Sequence, residues 1–315
     1  MHRRRKIDPR HAVIYVVAMV LIMVLLPYIC TRLFPSLKNP PPTELYDGNI
    51  PETIEVYITA DKKTKEIPFE EYVQGVVASE MPASFDIEAL KAQAVASRTY
   101  ALGRVKAGTK ICDSVHCQVY RSTDIDKKVV RAVEQTEGQV LLYNGKLAAH
   151  ALYFSSSAGP TENSQDVFSG TYAYLTSVDS SYEPGATHKK ETETMTIKAF
   201  AKKLKDYLPD LNFGTVKKSN IKIKSHTEGG RVDTVKVGKE TVSGTDIRGA
   251  LGLYSTRFDI DFIGNKKIVI TTAGSGHGVG MSQYGANGLA GKGKAYWEIL
   301  AHYYQGTSLS EKTSQ

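Results

Sequence analysis

The sequence predicts an α+β fold: a single N-terminal transmembrane helix, a proline-rich spacer, and one large domain carrying a small inserted α/β subdomain. Three observations carry that expectation. Residues 12–30 hold no charge, helix and strand patterns are mixed along residues 51–308, and no internal repeat or second clear domain interrupts them.

Residues 1–11 form a basic tail, with His2, Arg3, Arg4, Arg5 and Lys6, which favours a cytoplasmic N-terminus. The uncharged run 12–30 would rise about 28 Å as a helix, close to the hydrocarbon thickness of a bilayer. A cleaved signal peptide is the competing reading. Leu26-Pro27-Tyr28-Ile29-Cys30 is too bulky for a small-x-small cleavage site, and the same bulk argues against lipidation of Cys30. Residues 31–50, with Asn39-Pro40-Pro41-Pro42, read as a semi-rigid spacer.

Alternation marks a strand at 54–59, and residues 138–154 read as a hairpin centred on Asn144-Gly145. A short apolar helix is expected over 72–79, stopped by Pro82, which biases Met81 away from helical geometry. The next helix begins at Asp86, whose carboxylate can cap the first-turn amides. Residues 190–245 read as an accessory insert: a lysine-rich helix over 197–207, then strands at 221–225 and 232–237 joined by Glu228-Gly229-Gly230. Arg248 is expected to open a further helix, and residues 309–315 form a tail. Of the formal net charge of +7, residues 1–11 carry +4, so the remainder is too weakly basic to argue for nucleic-acid binding.

Two stretches carry the chemistry. Val77-Ala78-Ser79-Glu80-Met81-Pro82 places one carboxylate at a helix end beside an apolar run. A desolvated Glu80 would have a pKa above the usual value of about 4.3 and could serve as a general acid. Along the following helix Lys91 and Arg98 share a face seven residues apart, with Gln93, Ser97 and Tyr100 nearby. Either cation beside Glu80 would lower its pKa, so both are expected to contact substrate groups instead. The second stretch, residues 274–286, is too rich in glycine for a strand or helix. It reads as a constrained loop presenting His277, Ser282, Gln283 and Tyr284, with Ser282 capping the helix that follows. Its spacing fits neither the dinucleotide fingerprint nor the P-loop.

Cys112-Asp113-Ser114-Val115-His116-Cys117 sets two thiols and an imidazole within six residues, three of the four ligands a tetrahedral zinc site needs. A short-loop disulfide, two free thiols and a nucleophilic Cys–His pair are the rival readings. No histidine lies between Lys106 and Lys110, so a fourth zinc ligand would come from elsewhere, such as His277 or water.

These motifs together resemble the sporulation D and LytB-type family of peptidoglycan-active proteins. The resemblance runs from residue 50 to 306. It includes Glu80-Met81-Pro82, residues 90–100, Cys112-Asp113 with residues 116–120, Thr161-Glu162-Asn163-Ser164 near Asp166-Val167-Phe168, Arg248 with residues 251–256, and the 277–286 loop. It implies a membrane-anchored lytic transglycosylase that cuts peptidoglycan glycan strands during engulfment in sporulation. Its catalytic domain would lie outside the cytoplasm, between mother-cell and forespore membranes. Such an enzyme needs a single acid/base, Glu80, because the C6 hydroxyl of muramic acid is the nucleophile. The substrate groove would draw on Lys91, Gln93, Ser97, Arg98, Tyr100, Ser157, Gly159, Thr161, Arg248, His277, Ser282, Gln283 and Tyr284. The resemblance further implies stage II sporulation proteins P and M as partners, glycan stripped of stem peptides as a preferred substrate, and no cofactor for catalysis. Some members bind structural zinc near the groove and others lack the cysteines, which makes Cys112, His116 and Cys117 the candidate ligands here. The alternative is a non-catalytic peptidoglycan-binding module that stimulates a cell-wall amidase.

Overall fold

The computed structural model describes residue 15, residues 17–26 and residues 43–310. Among the described residues no helix is long and apolar enough to cross a membrane. This overturns the expected single N-terminal transmembrane helix. The other residues of 12–30 except residue 15, the 1–11 tail, residues 31–42 of the spacer and residues 311–315 lie outside the described residues. What stands is a mixed α/β chain.

Strand β1 (Thr53–Ile58) pairs antiparallel with β2 (Lys63–Pro68) and parallel with the two-residue β3 (Ile111–Cys112). Helix α1 (Phe69–Glu80) follows directly on Pro68, the last paired residue of β2 and the helix N-cap, and carries Glu70 and Glu71 where the helix dipole favours anions. It stops because Met81 turns extended ahead of Pro82. Asp86 then accepts from the Glu88 amide and caps α2 (Ile87–Lys106). Buried residues lie on every face of α2, which packs against α1, α3 (Lys127–Glu134), α7 (Gln283–Gly291) and α8 (Tyr296–Tyr303). Its small residues Ala89, Ala92, Ala96 and Ala101 permit that crowding.

The Asn144-Gly145 turn forms as expected, with both residues at positive φ, between β4 (Leu141–Tyr143) and β5 (Lys146–Leu147). The hairpin is shorter than the 138–154 expected. Beyond residue 147 the chain leaves it, and β6 (Tyr153–Phe154) later pairs parallel with Met281–Ser282. A single turn, α4 (Ser164–Val167), follows.

A second hydrophobic cluster gathers Phe200, Leu204, Val235, Val237, Ile247, Ile268 and Ile270. It lies among β7 (Glu191–Thr196), α5 (Ile197–Tyr207), the antiparallel β8 (Ile221–His226), β9 (Val232–Val237) and β10 (Glu240–Ser243), and α6 (Gly244–Leu251). The antiparallel pair β11 (Phe258–Ile263) and β12 (Lys267–Thr272) completes it, with β12 also pairing with β7. Arg248 lies in the last turn of α6 rather than at its start. The Ser243–Asp246 capping box upstream sets the start instead. The chain returns to the first cluster through β13 (Met281–Ser282), α7, α8 and β14 (Thr307–Leu309), which pairs with β4.

Candidate functional site

Glu80 is the last residue of α1, and its carboxylate is held from two directions. Oε1 accepts from the Val119 backbone amide at 2.9 Å, and Oε2 accepts from Gln283 Nε2 at 3.3 Å. Gly75, one turn earlier on α1, makes the first contact possible. A Cβ on residue 75 would fall 2.3 Å from the Arg121 carbonyl oxygen and 2.4 Å from the Tyr120 ring. With only hydrogen there, residues 118–121 lie directly against the helix. Burial raises the Glu80 pKa, against the opposing pull of the Val119 and Gln283 hydrogen bonds.

Two hollows of about 410 Å³ each meet at this carboxyl, and Glu80 and Ser155 line both. The first runs under Met81, Pro82 and Phe85 and is bordered by Arg121, Thr187, Gln283 and Tyr284. The second is bordered by Tyr100, residues 115–119, Tyr153, Phe168 and His277. Among the described residues Glu80 is the only carboxylate lining either hollow.

The glycine-rich loop shapes one wall. At Gly280 (φ +79°) a Cβ would sit 2.0 Å from the Leu152 carbonyl oxygen, so only glycine admits the 152–154 strand here. His277 lies between the Phe154 and Phe168 rings, centroids 5.6 and 5.3 Å away. Its Nδ1 accepts from the Val279 amide, so the ring proton sits on Nε2. Burial, reinforced by Arg231 and Arg248, pushes its pKa down to about 4, which keeps the ring neutral at working pH.

Of the expected groove residues, Tyr100, His277, Gln283 and Tyr284 line the hollows with Glu80. The others hold the frame. Arg98 is fully buried and forks onto the Glu70 carboxylate at 2.6 and 2.7 Å, with a third bond to the Gln139 carbonyl. Lys91 is buried against Glu88 at 2.8 Å. Both cations expected to reach sugar are thus paired inside the protein, as a cation on a helix buried all round turns to an interior carboxylate. Gln93 and Ser97 are buried and bonded to each other. Ser157 and Thr161 are fully buried, the first through its amide on Glu183 and the second in backbone pairing with Val178. Gly159 packs on the Arg257 guanidinium, and Arg248 donates to the Leu253 carbonyl. Ser282 caps α7 as expected, donates to Glu183 and is buried.

Several residues that shape the site were not anticipated. Arg121, Ser155, Thr187 and Phe168 line the hollows. Gln118 accepts from the Tyr72 hydroxyl and donates to the Tyr153 hydroxyl, which fixes the segment carrying Val119. Within the resemblance, residues 116–120 and Asp166-Val167-Phe168 held the signal for Gln118, Val119 and Phe168, and nothing marked Arg121, Ser155 or Thr187.

The zinc expectation does not fit the residues present. Cys112 and Cys117 are half-buried with their sulfurs 2.9 Å apart, and His116 is exposed at the border of the second hollow. Among the described residues no group of three or more His, Cys, Asp or Glu could hold a metal ion.

Residues 57–143, which contain α1, α2 and the cysteine loop, match the family model described as stage II sporulation protein. The stage II sporulation protein D of Bacillus subtilis (strain 168) is 41% identical over 281 residues, covering 83% of this chain and 80% of that protein. That of Bacillus amyloliquefaciens is 39% identical over 284 residues, with 84% and 80% covered. A Bacillus subtilis protein named amidase enhancer is 33% identical over 287 residues, covering 76% of this chain and 40% of its own length. With a matching family model over the acid-bearing segment and the two stage II sporulation protein D relatives aligned over four-fifths of their length, the chain belongs to the stage II sporulation protein D family.

Proposed function

We propose that this chain is a peptidoglycan lytic transglycosylase with Glu80 as its single acid/base, acting in engulfment during endospore formation. The observation that carries the reading is one carboxyl with a raised pKa at the meeting of two hollows, with no second carboxylate among the described residues lining either. A hydrolase of the usual kind needs two carboxyl groups flanking the bond. A transglycosylase needs one, because the muramic acid supplies its own nucleophile.

The mechanism calls for a protonated Glu80, the form that burial favours, which gives its proton to the leaving glycosidic oxygen as positive charge grows at the anomeric carbon. The C6 hydroxyl then attacks that carbon and returns its proton to Glu80, closing the 1,6-anhydro ring. The Val119 amide and the Gln283 side chain stabilise the carboxylate present between the two transfers. Tyr100 lines one hollow and Tyr284 the other, and their rings are the candidates for pyranose stacking. Catalysis needs no cofactor. The substrate is a glycan strand, preferentially one stripped of stem peptides, and the site of action is outside the cytoplasm, between the mother-cell and forespore membranes. Stage II sporulation proteins P and M are its working partners.

The likeness to a protein named amidase enhancer favours a second reading, a non-catalytic wall-binding module that stimulates an amidase. Mass spectrometry of glycans incubated with wild type and with Glu80→Gln separates the two. Ends bearing 1,6-anhydromuramic acid with wild type alone support the transglycosylase. Reducing ends indicate hydrolysis, and intact binding without products from either protein supports the module.

A further inference from the structure

We propose that Cys112 and Cys117 are a thiol–disulfide pair whose closure braces the wall of the second hollow and, through Val119, the position of Glu80. Their sulfurs are 2.9 Å apart, so about 0.9 Å of approach brings them to bonding distance. The loop between them is already folded back. Cys117 N donates to the Ser114 carbonyl at 3.0 Å, Cys112 N donates to Cys117 Sγ at 3.1 Å, and Tyr120 N donates to the Asp113 carbonyl at 3.3 Å. Asp113 anchors the loop to β1 by accepting from the Thr59 amide and hydroxyl, and Cys112 is itself a residue of β3. Little backbone rearrangement therefore separates the open from the closed form. Among the described residues no third His, Cys, Asp or Glu joins the two thiols in a group that could hold a metal ion, which leaves each sulfur the other as its near neighbour. Cys117 lines the second hollow, and Val119, two residues on, donates to Glu80.

The oxidant is a small or protein disulfide. One cysteine thiolate attacks a sulfur of that disulfide, forming a mixed disulfide and expelling the first thiolate. The second cysteine thiolate attacks the protein sulfur of the mixed disulfide, forming the Cys112–Cys117 bond and expelling the second thiolate. The two protons lost by the cysteines end on the two released thiols, and two electrons pass to the oxidant. Bridge formation stands apart from the reading of Glu80; its effect on turnover rests on that reading.

The test equilibrates the full chain with glutathione mixtures of varied oxidised fraction, blocks free thiols with N-ethylmaleimide, and digests with trypsin. Both cysteines fall in one fragment, residues 111–121. Under oxidising mixtures the fragment is expected two hydrogens lighter and unlabelled, and after reduction it carries two labels. Two labels at every poise, glutathione retained on separate cysteines, or stoichiometric zinc in the purified chain would overturn the pair. With bridging observed, release of 1,6-anhydro ends is then compared between poises. A several-fold fall on reduction, absent in a Cys112→Ser/Cys117→Ser double variant, supports the bracing role. Equal turnover in both states overturns that role. Absence of turnover in both states speaks against the assignment of Glu80 and leaves the bridge standing.

Discussion

Among the described residues two carboxyl groups, Glu80 and Glu162, have pKa values raised by burial, and they differ in everything that matters for chemistry. Glu162 is fully buried, faces Arg231 across 3.8 Å, and lines neither hollow. Arg231 reaches it from the turn before β9 and also donates to the Gly276 carbonyl, so the pair ties the second cluster to the glycine-rich loop. Burial lowers the pKa of that guanidinium to about 10, still well above working pH. Glu80 is held by a backbone amide and a side-chain amide, at the junction of two hollows that admit a ligand. A raised pKa thus marks a desolvated carboxyl, and access decides whether it can pass a proton to anything.

Breaking each carboxyl in turn sharpens the contrast. Glu80→Gln keeps the shape and the fold and is expected to remove turnover by about 10²–10⁴-fold, read as 1,6-anhydro ends per unit time. Arg231→Ala leaves Glu162 buried without its ion pair and is expected to cost about 3 kcal/mol in chemical denaturation. Gly75→Ala should press residues 118–121 away from α1, lengthening the Val119–Glu80 bond and lowering kcat more than it raises KM. The smallest effect is on stability against pH. Glu80 has a folded pKa above its unfolded value, so ionisation opposes folding, and stability is lost as pH rises from the unfolded towards the folded pKa. Glu80→Gln removes that loss. Its Tm should match wild type at the acid end and exceed it slightly at neutral pH, and a variant less stable than wild type at neutral pH would contradict the burial argument.

Much of the frame was legible because its signals are local. Pro82, the Asp86 cap, the Asn144-Gly145 turn, the 197–207 helix and the Ser282 cap each announce themselves within a few residues. The roles of Lys91 and Arg98 were not legible. Seven-residue spacing identifies one helix face, yet α2 is buried on every face, so spacing alone could not separate groove from interior. The decisive partner of Arg98 is Glu70, on another helix. The same limit applies to Ser157, placed through its amide by Glu183, and to the shortened hairpin, whose last residues pair with β13 far along the chain. The N-terminal run was apolar enough to suggest a membrane span, but among the described residues no helix is long and apolar enough to cross a membrane.

The group that contacts Glu80 from residue 119 is a main-chain N–H, and nineteen of the twenty amino acids could supply it. Substitution at position 119 by anything but proline leaves the donor in place, so that position is free to drift while its chemistry persists. Position 75 has no such freedom, because any side chain there occupies the space that lets the donor approach. Selection on the acid's environment therefore falls on the residue that makes room rather than on the one that acts, and a search for variable and invariant positions would credit the wrong one.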